Sequence, residues 1–508
     1  MKNKLIKTQF VIMLLIILGK VIGFLRESIL ASKYGTGYEV DVYGYSINIL
    51  LFLATIGYSV TTILIPIFTE LKEKKSKSYQ IKISNNLISV YIVVGAFISI
   101  FSIIFSKYIV NIFAPGFEGE ILDLACKLVM IINTSIITIL VQSVISGILQ
   151  AYEKFYEAAA MALAGNIIVV LYLLLSVDKF GIIGFSVIIV ISYFIQLLIN
   201  IPSFRKLGFR FKFSLKNIDD KTKEIIKLSF PVLASTCIMQ FSTLVNIFFG
   251  SLIGTGSISI YNYANRIINL GIEIFSIGIS MAIYPILSKM SFEEEKSKFN
   301  KSLEEALVLM VVLILPIIVL LIVLRSDVVK ILYERNEFTS ESTIQTSKLL
   351  LLLIPTMLAS GIRDLLSKAC YSLKEVNLPM KASILTIIML ILFNGLLYKK
   401  FGAMSLGISS SIATILGTLI IFIVLKRKYS FIKIKIRKSL IKVIIICLLI
   451  GGMIHYIREY LLTFLSNGFM ETLLIVFICG TIGLIIYILL IYIFNVKELE
   501  IIKNKEKL

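Results

Sequence analysis

Long apolar stretches without a charged residue recur along the whole chain. Phe10 to Gly19, Leu87 to Phe105 and Leu473 to Phe494 are three of them. A helix that crosses the hydrocarbon core of a bilayer needs roughly twenty predominantly apolar residues. Apolar residues make up 58% of the 508 residues and charged residues only 16%, whereas a soluble domain is about one quarter charged. We therefore expect an all-α integral membrane protein with about 14 transmembrane helices.

The distribution of Lys and Arg predicts how these helices are oriented. The formal net charge is +20. If the N-terminus is cytoplasmic, most of the 51 Lys and Arg fall in segments that face the cytoplasm, and the richest are Arg205–Lys227 and Lys426–Lys442. The positive-inside rule then favours cytoplasmic N- and C-termini in a multi-pass protein of the cytoplasmic (inner) membrane. Basic loops beside anionic lipid account for the charge, so no nucleic-acid partner is expected.

Residue clusters typical of enzymes and metalloproteins are missing from the sequence. The five cysteines are far apart, and His455 is the one histidine. A multi-histidine metal centre or a redox pair of cysteines is therefore not expected. No phosphate-binding loop, dinucleotide fingerprint or nucleophile elbow occurs either. We expect a transporter, not an enzyme, without catalytic residues, metal or cofactor.

The two halves of the chain look like copies of each other. Several matched segments share one and the same separation along the chain: Gly35-Thr36-Gly37 with Gly254-Thr255-Gly256, Pro66 with Pro285, and Tyr152 with Tyr371. With a two-residue shift, Gly181 matches Gly402. Each copy contains six predicted spans, and this even number predicts parallel repeats that form two lobes around a substrate path.

This duplication defines four segments. Residues 1–204 are predicted to form an N-terminal six-helix lobe, and residues 205–225 a cytoplasmic basic linker. Residues 226–425 are predicted to form a C-terminal six-helix lobe. Residues 426–508 then hold a basic linker and two extra transmembrane helices outside the duplication.

A few ionisable residues lie within or at the edges of the predicted spans. They are Lys20 and Arg26 in the first span, Asp41 at the start of the second, Arg266 in the eighth and Arg363 in the tenth. A charged side chain at a helix centre in lipid costs roughly 2.5–3.5 kcal/mol, so such residues usually face a cavity or a partner. If the cations converge on one cleft, an anionic substrate is expected, because Arg binds phosphate bidentately. The alternative is that each is an edge residue or a structural ion pair, such as Asp41 with Arg26.

Short motifs in order along the chain resemble the MurJ-type lipid II flippases, in the mouse-virulence-factor branch of the MOP transporter superfamily. The motifs are Gly19-Lys-Val-Ile-Gly-Phe-Leu-Arg26-Glu, Tyr34-Gly-Thr-Gly37, Ala114-Pro-Gly-Phe117, Tyr263-Ala-Asn-Arg266 and Arg363-Asp-Leu-Leu-Ser-Lys-Ala-Cys-Tyr371. The resemblance implies a flippase that moves undecaprenyl-pyrophosphate-linked peptidoglycan precursor, lipid II, by alternating access for cell wall synthesis. It also implies a cationic substrate-binding cavity, whose positions in this chain are Lys20, Arg26, Asp41, Arg266 and Arg363.

Two departures from the family pattern leave another cargo open. Asn265 and Asn269 stand where the family commonly has acids, and Asn48 to Tyr58 holds no charge where a basic residue is usual. An exporter of another polyprenyl-linked oligosaccharide, for capsule or other envelope polysaccharide, is therefore the main alternative.

Other classes fit less well. The two extra spans and the basic cavity disfavour a drug or cation antiporter. A membrane glycosyltransferase would need a catalytic loop of acids, and the short loop that holds Glu118, Glu120 and Asp123 has no metal-like cluster. A structural scaffold gives no reason for cations within the spans. The expected partners are the lipid-linked anionic substrate, membrane lipids and the cell wall synthesis machinery.

Overall fold

The protein, seen in a computed structural model, is almost entirely helical. The structure describes residues 2–216, 218–292, 295–375, 377–433, 438–465 and 468–494, and no β-strand occurs within these ranges. The helices are α1 (Lys2–Tyr34), α2 (Tyr38–Lys74), α3 (Lys77–Ile104), α4 (Ser106–Phe113), α5 (Gly119–Asn133), α6 (Ser135–Ala151), α7 (Tyr156–Leu175), α8 (Val177–Lys206), α9 (Asp220–Ile253), α10 (Ser257–Phe292), α11 (Lys296–Tyr333), α12 (Ser340–Ser372), α13 (Asn377–Phe401), α14 (Met404–Lys428), α15 (Lys438–Leu462) and α16 (Phe469–Ile493).

Most of these helices are long enough to cross a membrane. Twelve candidate spans occur among the described residues, with α5 and α6 counted as the single element Gly119–Ala151. The helices α1 and α10, of 33 and 36 residues, are also longer than the roughly twenty residues that a span needs. The helix α4, with eight residues, is not. The prediction of an all-α multi-pass membrane protein with about fourteen transmembrane helices is confirmed.

Polar side chains at the helix ends explain where several helices begin and end. The Ser76 hydroxyl accepts a hydrogen bond from the N–H of Tyr79 at the start of α3, and the Asp219 carboxylate accepts one from the N–H of Lys221 at the start of α9. Ser and Asp are preferred at this position because they satisfy backbone donors that the helix leaves free. Basic residues fill the last turns of α2, α8 and α14, where the helix dipole favours a cation.

Matching helix starts extend the internal duplication beyond the sequence motifs. The helices α2 and α10 begin at Tyr38 and Ser257, with the same separation as the matched motifs, and α3 and α11 repeat this separation. Further along, α7 and α13 begin at Tyr156 and Asn377, and their separation is two residues longer than that of the earlier pairs. Two additional residues thus enter the second copy between the start of α11 and the start of α13.

The turn that ends α6 has the same backbone conformation as the turn that ends α12. Glu153 and Lys374 have left-handed φ angles of 60° and 61°. In both turns the next residue donates its N–H to the carbonyl oxygen five residues earlier. Glu153 therefore corresponds to Lys374, so Tyr152 aligns with Leu373, two residues beyond the sequence match with Tyr371.

The chain divides into two compact units, Met1–Ile258 and Ser259–Leu508. Within the first unit, α1 packs against α7, and α2 packs against both α6 and α9. Within the second, α12 packs against α11 and α14, and α13 packs against α14. The helices α1 and α9 are equivalent in the repeat but differ in their neighbours, which is why the first unit includes α9. The lobe boundaries at 204, 225 and 425 stay predictions of the sequence repeat.

The two C-terminal helices are fastened to α11 within the second unit. Apolar side chains of α11, α15 and α16, such as Val312 and Cys479, form one buried cluster. The Tyr487 hydroxyl donates a hydrogen bond of 2.5 Å to the carbonyl oxygen of Val312. Near the C-terminal end of α11, Nε and Nη2 of Arg458 donate to the two carboxylate oxygens of Asp327, at 2.5 and 3.0 Å.

Candidate substrate-binding site

Arg26 lies on α1 in a polar contact between two helices. Its Nη2 donates to Glu27 Oε1 at 2.5 Å, and its Nη1 donates to Asn166 Oδ1 of α7 at 3.1 Å. The Asn166 amide also donates to the carbonyl oxygen of Gly19 at 3.2 Å, so it ties α1 to α7 at two points. The Nε of Arg26 is buried and has no hydrogen-bond partner among the described residues. Arg26 is therefore neutralised by its neighbour and retains one unused donor.

Lys20 lies on the same helix but on a different face. It is exposed, and six residues at 3.6 per turn put it about 120° around the axis from Arg26. The adjacent Gly19 is buried against Leu163 of α7, so this glycine allows close packing of the two helices.

Asp41 holds a turn in place instead of pairing with Arg26. Its side chain is 2% exposed, and its Oδ2 accepts a hydrogen bond of 2.5 Å from the N–H of Gly256, in the turn between α9 and α10. The same region has a second contact, because the N–H of Gly116 donates to Ser251 Oγ at 3.3 Å. Both contacts lie within the first unit.

Arg266 belongs to a polar face of α10. Asn262, Asn265, Arg266 and Asn269 have the spacing of one helix face, and all four are at least partly exposed. The opposite face, which includes the buried Tyr263, packs into the second unit. No hydrogen bond or ion pair to Arg266 occurs among the described residues. The helix thus presents this guanidinium with neutral amides around it.

Arg363 lies on a similar partly exposed face of α12. Its Nη2 donates to Ser383 Oγ of α13 at 2.7 Å. Asp364 and Ser367 lie on the same side and are partly exposed, while Leu365 on the other side is buried. Arg363 is therefore positioned by a neutral hydroxyl of the neighbouring helix.

The two arginines of the second unit lie at different depths. Gly271 of α10 packs against Met357 of α12. Further along both helices, Lys368 Nζ of α12 lies 5.6 Å from the centre of the Tyr284 ring of α10. The helices therefore run side by side in the same direction. At 1.5 Å per residue, the arginine of α12 lies about 16 Å farther along this direction than the arginine of α10.

Several polar partners were not predicted from the sequence. Glu27, Asn166, Gly256 and Ser383 contact the predicted site residues. Glu27 follows Arg26 directly, so an adjacent opposite charge could have identified it. Asn166 and Ser383 could have been suspected as polar residues in apolar spans, but their partners depend on how the helices are rotated.

The described residues offer no assembled metal site. No group of three or more His, Cys, Asp or Glu side chains within these ranges has a suitable arrangement. All five cysteines are free thiols. The charged groups available to a ligand at the predicted positions are mainly cations.

Similarity to known proteins extends along nearly the whole sequence. A family model described as "Lipid II flippase MurJ" matches residues 30–476. The "Probable lipid II flippase MurJ" of Buchnera aphidicola subsp. Schizaphis graminum is 26% identical over 510 residues, with 98% of each chain covered. The protein of the same description from Thermotoga maritima is 24% identical, with 95% of each chain covered.

Solved structures are also similar to this chain. A structure described as "Lipid II flippase MurJ, inward closed conformation" matches with a TM-score of 0.81 and 25% identity, covering 96% of this chain and 98% of that chain. An inward-facing multidrug transporter of the MATE family, in the MOP superfamily, shares the fold with a TM-score of 0.69 and 15% identity, covering 82% of this chain and 95% of that chain. Because the family model spans most of the sequence, the chain belongs to the lipid II flippase MurJ family.

Proposed function

We propose that this protein moves lipid II across the cytoplasmic membrane by alternating access, so that the precursor reaches the site of cell wall synthesis. The observation that carries this proposal is the match of the family model to residues 30–476. The placement of Arg26, Arg266 and Arg363 in long apolar helices supports it, because a cation within a membrane span needs a use or a partner. No chemical step is required of the protein itself.

In this proposal the arginines bind the pyrophosphate of the lipid carrier. Each guanidinium can donate two parallel hydrogen bonds to phosphate oxygens. The two arginines of the second unit differ in depth by about 16 Å along their helices, so we propose that Arg363 and Arg266 contact the pyrophosphate one after the other. Arg26 would exchange Glu27 for phosphate when substrate arrives. Lys20 would attract the anionic substrate from a longer distance.

Asp41 has a different part in the same cycle. Its hydrogen bond to Gly256 fixes the turn between α9 and α10. Alternating access requires one side of the path to close while the other opens. We propose that this bond forms in states closed at this end and breaks when it opens.

The orientation of the protein can be tested directly. We propose cytoplasmic N- and C-termini from the distribution of basic residues. In a variant without the five native cysteines, Glu118→Cys and Glu341→Cys should react with an impermeant maleimide from outside intact cells, and Ser76→Cys and Ser297→Cys should react only after lysis. All four positions are exposed, so a reversed pattern would contradict the orientation.

Two measurements test the proposed function. Expression of the chain should restore growth of a strain depleted of its own lipid II flippase. Purified protein in vesicles should move fluorescent lipid II between leaflets. The neutral Asn265 and Asn269 beside Arg266 favour one alternative, an exporter of another polyprenyl-linked oligosaccharide. That exporter would insert normally into the membrane and fail both tests.

Partners on the membrane surfaces follow from this function. Enzymes that synthesise lipid II supply the substrate, and enzymes that polymerise it consume the product. We propose that this cell wall synthesis machinery contacts the protein, and co-purification after crosslinking in cells would test it.

A further inference from the structure

The segment between α8 and α9 is held against the start of α3 at both of its ends. We call residues 208–216 the strap. The Phe209 ring is buried, stacks on Phe204 with 4.9 Å between ring centres, and has its centre 3.5 Å from Lys77 Nζ. Beyond the strap, Asp219 accepts hydrogen bonds from the Tyr79 hydroxyl at 2.8 Å and from Lys82 Nζ at 2.9 Å. The ends of the segment are therefore fixed.

These contacts also neutralise the carboxylate nearest the strap. The hydrogen bond from Lys82, together with those from the N–H of Lys221 and the Tyr79 hydroxyl, holds the pKa of Asp219 below its ordinary value of 3.8. Asp219 is thus ionised at neutral pH and already paired, which leaves the basic residues of the strap free of its charge.

Between its ends the strap extends along α3 toward the apolar part of that helix. The N–H of Ser214 donates to Ser89 Oγ at 2.9 Å. Ser89 lies about 18 Å along α3 from Lys77 at 1.5 Å per residue. Residues 209–215 form neither helix nor turn. Five extended steps cover at most about 17–18 Å, so an extended backbone accounts for the reach from Phe209 to Ser214.

This position corresponds to the edge of the hydrocarbon region. The first turns of α3 carry Lys77 and Lys82, and the long apolar stretch begins at Leu87, after the polar Ser84, Asn85 and Asn86. Ser89 lies at the start of that run. We therefore expect the middle of the strap to lie where lipid headgroups meet the acyl chains.

Basic and aromatic side chains alternate along the strap. Arg210, Lys212 and Lys216 are exposed. Between them, Phe211 and Phe213 are 48% and 55% exposed. In an extended backbone, successive side chains point to opposite sides. One side of the strap is thus basic and the other aromatic, and beyond the buried Phe209 both sides are largely exposed.

We propose that the strap is a binding site for anionic phospholipid, in which the basic side chains contact headgroup phosphates and the phenylalanines enter the acyl region. The charges of the strap match an anionic lipid, and its depth matches the interface where aromatic rings are favoured. A basic residue near an anionic surface contributes roughly a fivefold increase in affinity. A neutral phospholipid would satisfy the aromatic side only. The site is separate from the proposed transport path and does not depend on the cargo.

The absence of tryptophan from the sequence makes this site measurable. Phe213→Trp introduces a single tryptophan into the strap of the full-length protein. Its fluorescence is then measured in vesicles that contain acyl-brominated phosphatidylglycerol in unbrominated phosphatidylcholine, or the converse. Bromine quenches only a nearby indole, so the ratio of quenching reports which lipid is enriched beside the strap.

We expect quenching by both brominated lipids and a stronger effect of phosphatidylglycerol, on the order of fivefold in relative affinity or more. The added changes Arg210→Gln, Lys212→Gln and Lys216→Gln should remove the preference and keep quenching by phosphatidylcholine, which shows that the strap still lies in lipid. A matched control changes three exposed lysines elsewhere, Lys107, Lys399 and Lys400, to Gln and should keep the preference.

Two results would overturn the proposal. Equal quenching by the two lipids in the protein with all its basic residues would show that the strap does not select anionic lipid. No quenching by either lipid would show that Phe213 does not reach the acyl region. Because neither result involves transport, the proposed function can fail while this proposal stands, and the reverse also holds.

Discussion

Asp41 and Gly256 are joined by a hydrogen bond of 2.5 Å from the backbone N–H of the glycine to the carboxylate. The bond links the first turn of α2 to the turn between α9 and α10. Gly256 has a φ of 88°, which a residue with a Cβ adopts only with strain. The carboxylate and the glycine are therefore both needed for this contact.

Loss of the Asp41 carboxylate should loosen the turn. A hydrogen bond to a charged group contributes about 1.5–3 kcal/mol, so Asp41→Ala should increase opening of the turn on the order of tenfold or more. Ser257, next to Gly256, is buried. In a background without native cysteines, the rate at which Ser257→Cys reacts with maleimide measures this opening. Asp41→Asn should lie between Asp41→Ala and the parent.

Glu39 provides the control for this experiment, because it is a second acidic residue in the first turn of α2. Glu39→Ala should leave the labelling rate nearly unchanged. Equal rates for the parent protein and Asp41→Ala would show that the hydrogen bond does not hold the turn.

The repeated turns after α6 and α12 predict a pair of stabilising changes. Glu153 and Lys374 have left-handed backbones, which cost a residue with a Cβ about 1 kcal/mol relative to glycine. Glu153→Gly and Lys374→Gly should each raise the thermal unfolding midpoint in detergent. Asn336 also has a positive φ, of 48°, but Asn tolerates this region better, so Asn336→Gly should gain less. A larger gain at Asn336 than at the other two positions would refute the argument.

The sequence predicted the membrane fold well, because apolar length and the duplication are properties of composition and order. The matched Pro66 and Pro285 already implied two equivalent helices, and α2 and α10 contain them. The packing of α9 against α2 could not be predicted, because α1 and α9 are equivalent in the repeat. Which neighbour a helix chooses depends on side-chain fit over its whole length, and the repeat does not encode that difference.

For the candidate site, the sequence pointed to the charged residues but not to their partners. The cost of a charge in lipid made Arg26, Arg266 and Arg363 candidates, and their part in substrate binding stays a prediction. The alternative that Asp41 forms an ion pair with Arg26 was wrong, since the ion pair is with Glu27. Pairing depends on helix rotation and depth, which a one-dimensional pattern does not fix.

The ion pair between Arg458 and Asp327 should fasten the two C-terminal helices. Asp327 is nearly buried, and Arg458 donates to both of its oxygens. Removing one partner of a buried pair leaves an uncompensated charge and costs about 3 kcal/mol. Asp327→Ala should therefore lower the unfolding midpoint markedly, and Asp327→Leu combined with Arg458→Met should recover most of the loss. Glu70→Ala, which removes the exposed pair with Lys74, should change the unfolding midpoint far less, because solvent screens an exposed pair. Similar effects of the two single changes would refute the assignment.

The contact of Arg26 with Glu27 predicts opposite effects of two substitutions on substrate binding. If pyrophosphate replaces Glu27 as the partner of Arg26, Arg26→Ala should weaken lipid II binding on the order of tenfold or more, because a charge-assisted hydrogen bond contributes about 1.5–3 kcal/mol. Arg26→Lys should restore only part, since it keeps the charge and loses the bidentate fork. Glu27→Gln should strengthen binding, because the competing carboxylate is gone, and should slow turnover, because release of the product no longer regains the ion pair.

Binding to purified protein and growth of a flippase-depleted strain separate these two effects, and membrane levels of each variant exclude misfolding. Arg205→Ala, at an exposed basic residue at the end of α8, serves as the control and should change neither measurement. Tighter binding by Glu27→Gln together with slower growth is the combination that a purely structural ion pair does not produce, since its loss would weaken folding and binding alike. If Arg26→Ala reaches the membrane at normal levels and supports full growth, Arg26 does not bind the substrate, and its contacts with Glu27 and Asn166 serve only to join α1 to α7.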